Sequence, residues 1–379
     1  MENKVIYIAI LLTLILAVLF TACEKRSFTQ EVDPDLDNEI KISTNLLGTN
    51  FHDDKIKELR IMVFNTSNGE LVYNKYYGFA DEMGDEFVRI HLELGTYDFA
   101  FIANEQSDRG VHEELINFGM EPFSTNKTLK DLYENVAFKA DAFSADKHIP
   151  MSHIEKGVKI TGIRTLELSN STQYTDEVWP VILTRLAVRL DLEFYTELAD
   201  KKTAFKRLII TQIPRNVPMF QRKFDDSGNI VNGGTGNYST IDREVLLANG
   251  DTNDWVVSTK VDNTQDPPVA ITYYTWKKTR IILPATMFNP DSDKSQGIVV
   301  QATYDIAGTP NEGGVPGLHT PGTIATEVPG RTPGVGPYDY TLPRNTYVKY
   351  TGKIVDNDII FEGITVSNWV KVPDVPLED

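Results

Sequence analysis

Alternation of apolar and polar residues dominates this sequence, and helical periodicity is scarce. Ile40, Ile42, Thr44 and Leu46 fall on one face of an extended segment. Residues 59–64 form a mostly apolar run, Asn65-Thr66-Ser67-Asn68-Gly69 supplies turn residues, and Leu71-Val72-Tyr73 resumes the pattern, which predicts a hairpin. Val88, Ile90, Leu92 and Leu94 alternate with Arg89, His91 and Glu93, and Gly95-Thr96 turns the chain into Tyr97, Phe99 and Phe101. One helix is expected over residues 129–138. Thr128 caps it with Asp131 three positions on, and Leu129, Leu132, Tyr133 and Val136 form its apolar stripe. A second set of strands is expected to begin near Trp179, where Leu186, Val188, Leu190 and Leu192 alternate with Arg185, Arg189 and Asp191. Residues 205–211, 279–284, 298–304 and 347–355 continue it, and Val355-Asp356-Asn357-Asp358-Ile359 is a tight turn into Ile360-Phe361. The pattern predicts a mainly β protein with a few short helices, in two consecutive modules at residues 39–180 and 181–379.

Three stretches break the pattern. Lys4 precedes an uncharged run over residues 5–20, and Leu19-Phe20-Thr21-Ala22 leads into Cys23. A run this short, ending in small residues, reads as a secretory signal over residues 1–22 rather than a spanning helix, which needs about 20 apolar residues. Residues 23–38 read as an acidic tether, because Glu31, Asp33, Asp35, Asp37 and Glu39 repel one another with no base among them. Residues 308–337 hold 14 glycines and prolines among 30 residues and read as a long loop between two strands of the second module. That loop is either a mobile insertion or an adhesive one.

Composition narrows the function. The chain has 379 residues, 41% of them hydrophobic, enough for sizeable cores. A net charge of -17 excludes nucleic-acid partners, whose phosphates would repel it. Cys23 is the only cysteine, so there is no internal disulfide and no cysteine pair for a metal. His148 and His153 are five apart with Pro150 between them, unlike two histidines on one helix face. Neither a nucleophile elbow nor a phosphate-binding glycine loop occurs. Asp225-Asp226-Ser227-Gly228-Asn229 reads as a hairpin turn. Asp291-Ser292-Asp293-Lys294-Ser295 alternates oxygen ligands but lacks the glycine where a calcium loop bends. No catalytic residue, metal or cofactor is assigned, and the chain does not read as an enzyme.

A lone cysteine directly after a signal segment resembles the lipobox of bacterial lipoproteins. The resemblance implies cleavage between Ala22 and Cys23 and acylation of Cys23. Several acyl chains hold a protein firmly where one holds it marginally.

Other segments resemble the FimA-type fimbrillins, the type V pilins. Ile56-Lys57-Glu58-Leu59-Arg60-Ile61-Met62-Val63-Phe64-Asn65, with Gly69-Glu70-Leu71-Val72 after it, is similar to that family's first core strand. Leu92-Glu93-Leu94-Gly95-Thr96-Tyr97-Asp98-Phe99-Ala100-Phe101-Ile102-Ala103-Asn104 resembles its strand-turn-strand ending in Ala-Asn. Ile149-Pro150-Met151-Ser152, Leu183-Thr184-Arg185-Leu186-Ala187-Val188-Arg189-Leu190, and Pro343-Arg344-Asn345-Thr346-Tyr347 with Tyr350-Thr351-Gly352 resemble further family segments in order, over roughly residues 39–370.

The resemblance implies two tandem transthyretin-like β-sandwich domains, export to the outer membrane, and a protease cut in the loop after the first strand. A strand from a neighbouring subunit then fills the opened groove, and a fimbria grows. The self-complementing strand would carry Ile40, Ile42 and Leu46 inward. Ile364, Val366, Val370 and Val372, within residues 364–376, mark a candidate donor strand, although Pro373 and Pro376 weaken its end. Residues 48–54 contain no arginine, so the candidate maturation sites are Lys55, Lys57 and Arg60. Otherwise the subunit stays uncut, as a basal anchor or accessory pilin. Implied partners are other fimbrial subunits, the outer membrane through the lipid, and host or bacterial surface receptors. The alternative is a monomeric surface lipoprotein that binds glycan or nutrient.

Overall fold

The computed structural model describes residues 39–46, 56–78, 87–120, 128–143, 147–199, 205–220, 223–224, 230–232, 240–246, 255–284, 299–304, 317–318, 322–323, 326–327, 338–339, 342–355 and 358–368. Its first half is a strongly curled sheet. The strands are β1 (Glu39–Leu46), β2 (Glu58–Asn65), β3 (Leu71–Gly78), β4 (Val88–His91), β5 (Gly95–Ala103), β6 (Ala137–Lys139), β7 (Met151–Gly162), β8 (Thr165–Glu167), β9 (Gln173–Thr175) and β10 (Val178–Arg185). All but β6 join one nine-stranded sheet, in the order β3-β2-β5-β7-β10-β1-β4, with β8 and β9 added beside β7. β10 makes the corner. Thr184 and Arg185 pair with Ser152 and Met151 of β7, whereas Lys41 to Leu46 of β1 pair with Val178 to Leu183.

The sheet therefore folds over itself. Ile40, Ile42, Val88, Ile90, Trp179, Val181 and Leu183 from the β4-β1-β10 wing share one buried cluster with Leu59, Ile61, Val63, Phe99, Phe101, Val158 and Ile160 from the β2-β5-β7 wing. Two facing layers with alternating inward side chains make a β-sandwich. Met62, Phe64, Ala100 and Ile102, on the opposite face of β2 and β5, are buried as well. They pack with Val111, Leu115 and Leu132 from two helices, α1 (Arg109–Asn117) and α2 (Leu129–Asn135). Burial on both faces is why these two strands read as near-continuous apolar runs.

The second half follows with β11 (Val188–Thr196), β12 (Phe205–Pro214), β13 (Asn216–Pro218), β14 (Lys223–Phe224), β15 (Ile230–Asn232), β16 (Thr240–Leu246), β17 (Trp255–Asp262), β18 (Val269–Ile282), β19 (Val299–Tyr304), β20 (Gly317–Leu318), β21 (Gly322–Thr323), β22 (Thr326–Glu327), β23 (Tyr338–Asp339), β24 (Thr346–Val355) and β25 (Asp358–Asn368). One sheet runs β17-β18-β11-β24-β25 and a second runs β16-β12-β19-β20. Leu190, Phe194, Ile210, Trp276, Val348 and Tyr350 belong to the same buried cluster as the helices of the first half.

Several sequence expectations need correcting. Trp179 does not open the second set of strands, because β10 hydrogen-bonds into the first sheet. Helix α2 stops at Asn135. Val136 is already extended (φ -94°, ψ 120°), and Ala137 to Lys139 pair with β13 instead. The cap itself is as expected: the Thr128 hydroxyl accepts from the Asp131 N–H while the Asp131 carboxylate accepts from the Thr128 N–H. Helix α1 was not foreseen. The Asp108 carboxylate accepts from the N–H groups of Gly110 and Val111 to start it. β4 ends at His91, and Leu94, expected to face the core, is 61% exposed. The hairpin turn expected at residues 225–229 is bracketed by β14 and β15, which pair with each other. Within residues 308–337 the structure describes three two-residue strands, of which β20 and β21 pair with β19.

Candidate functional site

The first strand is where the expected chemistry can be examined. β1 is an interior strand. It runs parallel to β10, with Ile42 opposite Trp179, Thr44 opposite Val181 and Leu46 opposite Leu183. It runs antiparallel to β4, with Ile40 opposite Ile90 and Ile42 opposite Val88. Through β1, β4 is tied to the rest of the sheet.

Ile40 is 3% exposed and Ile42 is fully buried. The alternation that predicted their inward face is thus realised. The register that seats Leu46 opposite Leu183 continues it along the backbone, while the Leu46 side chain lies outside the described residues. Beside β1, on β10, stands Trp179, itself buried, with its ring edge-on to Phe99 (centroids 5.2 Å apart) and Phe101 (5.5 Å). Burying Ile40 and Ile42 contributes roughly 1.5–3 kcal/mol each before ordering costs. Without β1 these rings and the backbones of β10 and β4 would face an open slot.

The outer face of the slot is charged. The Lys41 ammonium lies 3.1 Å from Asp176, and Arg89 lies 3.0 Å from Glu39. The hydrogen bond from Lys41 holds the Asp176 carboxyl below the usual carboxylate range, with Arg164 adding to the effect. Neither pair is deeply buried, and exposed pairs of this kind steer register more than they stabilise.

The loop between β1 and β2 carries the expected cut, and the three basic candidates differ sharply. Lys55 lies outside the described residues. Lys57 is exposed, but its backbone N–H donates to the Asn104 side-chain oxygen at 2.9 Å. Arg60 is inside β2 and only 3% exposed. Its guanidinium grips the fully buried Glu105 carboxylate through two bonds of 2.8 and 2.7 Å and donates to Asn74 at 2.8 Å. Arg60 is thus the buried member of the three, held in a structural ion pair with Glu105.

Around that pair sits a polar cluster that sequence reasoning missed. His112 Nδ1 is 2.6 Å from Glu105. Glu58 is nearly buried and accepts from the Gln106 N–H at 2.8 Å. Burial pushes its carboxyl up, and the Glu105 charge adds to the shift. Tyr76, whose ring lies under Arg60, is pushed up to about 12 by burial, then by Glu58 and Glu105. The one signal in the sequence was Asn104 at the end of the Ala-Asn motif. It adopts φ 59°, ψ 36°, a left-handed conformation that asparagine tolerates better than most residues.

The remaining expected residues scatter. Ala22, Cys23, Val370 and Val372 lie outside the described residues. Ile364 and Val366 are in β25, paired with Tyr350 and Val348 of β24 at the sheet edge. Ile364 and Val366 are therefore paired with β24 and not with β1. Among the described residues no group of three or more His, Cys, Asp or Glu could hold a metal ion, and no helix is long and apolar enough to cross a membrane.

Residues 41–185 match the family described as major fimbrial subunit protein (FimA). No curated protein matches the chain. Among solved structures it is similar to the tip fimbrial protein Mfa3 from Porphyromonas gingivalis with a C-terminal truncation. That match has 14% identity and a TM-score of 0.50, and covers 87% of this chain and 100% of that one. It is also similar to a cell adhesion protein from Parabacteroides distasonis (14% identity, TM-score 0.47, 88% and 97% covered). A third, from Bacteroides eggerthii, shares 11% identity at TM-score 0.47, with 88% and 96% covered. The family match and the fold bear out the resemblance to the FimA-type fimbrillins.

Proposed function

With residues 41–185 carrying the fimbrial-subunit pattern, we propose that this chain is a structural subunit of a cell-surface fimbria, assembled by strand exchange and serving adhesion. The observation that carries the reading is the seat of β1. One strand, hydrogen-bonded on both sides, with Ile42 in register with Trp179 and Ile40 and Ile42 buried in the cluster that Trp179 shares, can be removed only by opening a slot that demands another strand. Unpaired strand backbone above bared apolar side chains is a template for a strand from elsewhere. If each subunit fills the slot of the next, the contact is head-to-tail and does not close, which builds a filament.

In this reading the chain is exported as a lipoprotein, cut before Cys23, acylated there and carried to the outer membrane. The β1–β2 loop is then cut to release β1. The donor is the segment marked by Ile364, Val366, Val370 and Val372. What supports it is the position of β25, which among the described residues is the last strand of its sheet and pairs with β24. Partners are other fimbrial subunits, and surface receptors at the end of the fibre. The role is structural rather than catalytic.

The alternative of a monomeric glycan or nutrient binder has one observation in its favour, the neighbouring rings of Tyr195 and Tyr273 with centroids 6.0 Å apart. Against it, the Tyr195 hydroxyl is already bonded to both Glu362 oxygens, and Lys353 lies over its ring.

The test compares residues 24–379 intact with the same chain trimmed after Lys55. Ladders or filaments in electron micrographs of the trimmed sample alone are expected. Monomers in both samples would overturn strand exchange.

A further inference from the structure

The geometry points to a lateral docking edge for a second copy of this chain: β17 of one molecule pairs antiparallel with β17 of another, about a two-fold axis at Thr259. The contact uses the second half of the uncut chain, so it stands apart from the proposed exchange of β1. It also differs in kind, because a two-fold contact closes on itself where strand exchange runs head to tail.

Edge strands are usually short, bulged, or guarded by charge and proline. β17 has one lysine and none of the other devices. It is eight residues long and keeps an unbroken register with β18, from Trp255 opposite Trp276 to Asp262 opposite Val269. Among the described residues β18 is its one strand partner, so every second residue of β17 turns its N–H and C=O to an open edge. The hairpin also outruns its support. β11 pairs with β18 only from Tyr274 to Ile282, which leaves Val269 to Tyr273 with β17 alone as a strand partner among the described residues. From Ser258 to Asp262 the hairpin is thus a two-stranded arm about 17 Å long, a form that is marginal by itself in water. Trp255 and Trp276 seat its base in the core. Beyond them Val256 is 65% exposed, and Val257 and Val261 are each 58% exposed.

The order of residues along β17 selects the occupant. Val257-Ser258-Thr259-Lys260-Val261 carries valine two positions to either side of Thr259. Val257, Thr259 and Val261 share the strand face that continues from Trp255, opposite Tyr274, Thr272 and Ala270 of β18, and no charge stands among these six. An antiparallel pair centred on Thr259 sets Val257 opposite Val261 of the second copy, Thr259 opposite Thr259, and Val261 opposite Val257. Pairs of β-branched residues and of threonines are the ones that stabilise such a seam. On the other face each Lys260 falls opposite Ser258 of the second copy and each Asp262 opposite Val256, so no like charges are opposed. The edge is therefore complementary to itself in the one orientation that a two-fold axis demands. A single seam is a small contact, so the dimer is reversible and concentration-dependent.

The experiment is sedimentation velocity of uncut residues 24–379 over a dilution series, where a monomer–dimer equilibrium is expected. Val257→Lys together with Val261→Lys opposes like charges twice across the seam and should weaken the dimer roughly tenfold or more. Val257→Glu together with Val261→Glu should do the same, and mixing the two variants should restore the dimer. Both positions are exposed, so the fold is kept. Residues 24–379 contain no cysteine, so Thr259→Cys introduces the only thiol. At the axis its Cα lies about 4.5–5.5 Å from its counterpart, within the span of a disulfide. Mild oxidation should link that variant as a dimer, whereas Val256→Cys, about 20 Å from its own counterpart, should stay single. Monomer at every concentration would leave the edge to some other strand and overturn the inference. So would a dimer indifferent to the charged variants, no recovery on mixing, or equal cross-linking of the two cysteine variants. None of these results touches the exchange of β1, which is read on the trimmed chain.

Discussion

Ile42→Ala tests whether β1 is a separable unit. The side chain is fully buried between Val88 and Trp179 in register, and both neighbouring strands hold its backbone in place. The slot cannot collapse around the missing atoms, because β10 and β4 are spaced by the very strand that carries them. An isoleucine-to-alanine change in such a site costs about 2–5 kcal/mol. Taking about 3 kcal/mol, and a factor of ten for each 1.4 kcal/mol, the population with β1 released should rise roughly a hundredfold. Hydrogen exchange measured by mass spectrometry reads this directly. Amides of residues 39–46 should exchange roughly a hundredfold faster than in wild type, and in both proteins they should open with a smaller free energy than those of β2. Ser43→Ala, on the outer side of the same strand, should change little. Equal opening free energies for β1 and β2 would mean that β1 leaves only when the whole sandwich unfolds, and the exchange mechanism would lose its physical basis.

Other perturbations follow from the buried polar cluster and the helix cap. Glu105→Ala strands the Arg60 guanidinium in the core and should lower unfolding free energy by about 3–5 kcal/mol in urea melts. Glu58→Gln should stabilise the chain at neutral pH, because burial raises the folded carboxyl above the ordinary glutamate value and penalises the ionised form. The gain should shrink as pH falls through the raised value and vanish below the unfolded one, where wild type is protonated in both states; melts across that window read it, and a pH-independent gain would refute the cause. Thr128→Ala removes the hydroxyl that accepts from the Asp131 N–H and should cost about 1 kcal/mol in the same melts.

The legible parts of this protein were those with local causes. Alternation and short apolar runs placed β1 and β2 within a residue or two and found the starts of β3 and β11, which run on to Gly78 and Thr196, and the Thr128–Asp131 pair located the start of α2. Errors arose where a distant partner decided. Val136 to Phe138 continue an apolar pattern that fits a helix, yet β13 pairs with Ala137 to Lys139 as strand. Leu94 fits the alternation of β4, but no facing layer reaches it, so it points into solvent. Helix α1 begins on an Asp108 cap and presents only Val111 and Leu115 to the core, too sparse a stripe to read in advance.

By itself, then, the sequence determined the strand-dominated class, the inward pairing of Ile40 with Ile42, the acidic net charge, and the segments that resemble fimbrillins. These depend on residue type and on spacing of a few positions, which a chain carries wherever it folds. Only the tertiary structure decided that β1 lies between β10 and β4, that Trp179 supports it, and that Arg60 is locked onto Glu105 while Lys57 is pinned by Asn104. Those facts join residues 40 to 140 positions apart. Such pairings are chosen by the burial and hydrogen bonding of the whole sandwich, and no local pattern encodes them.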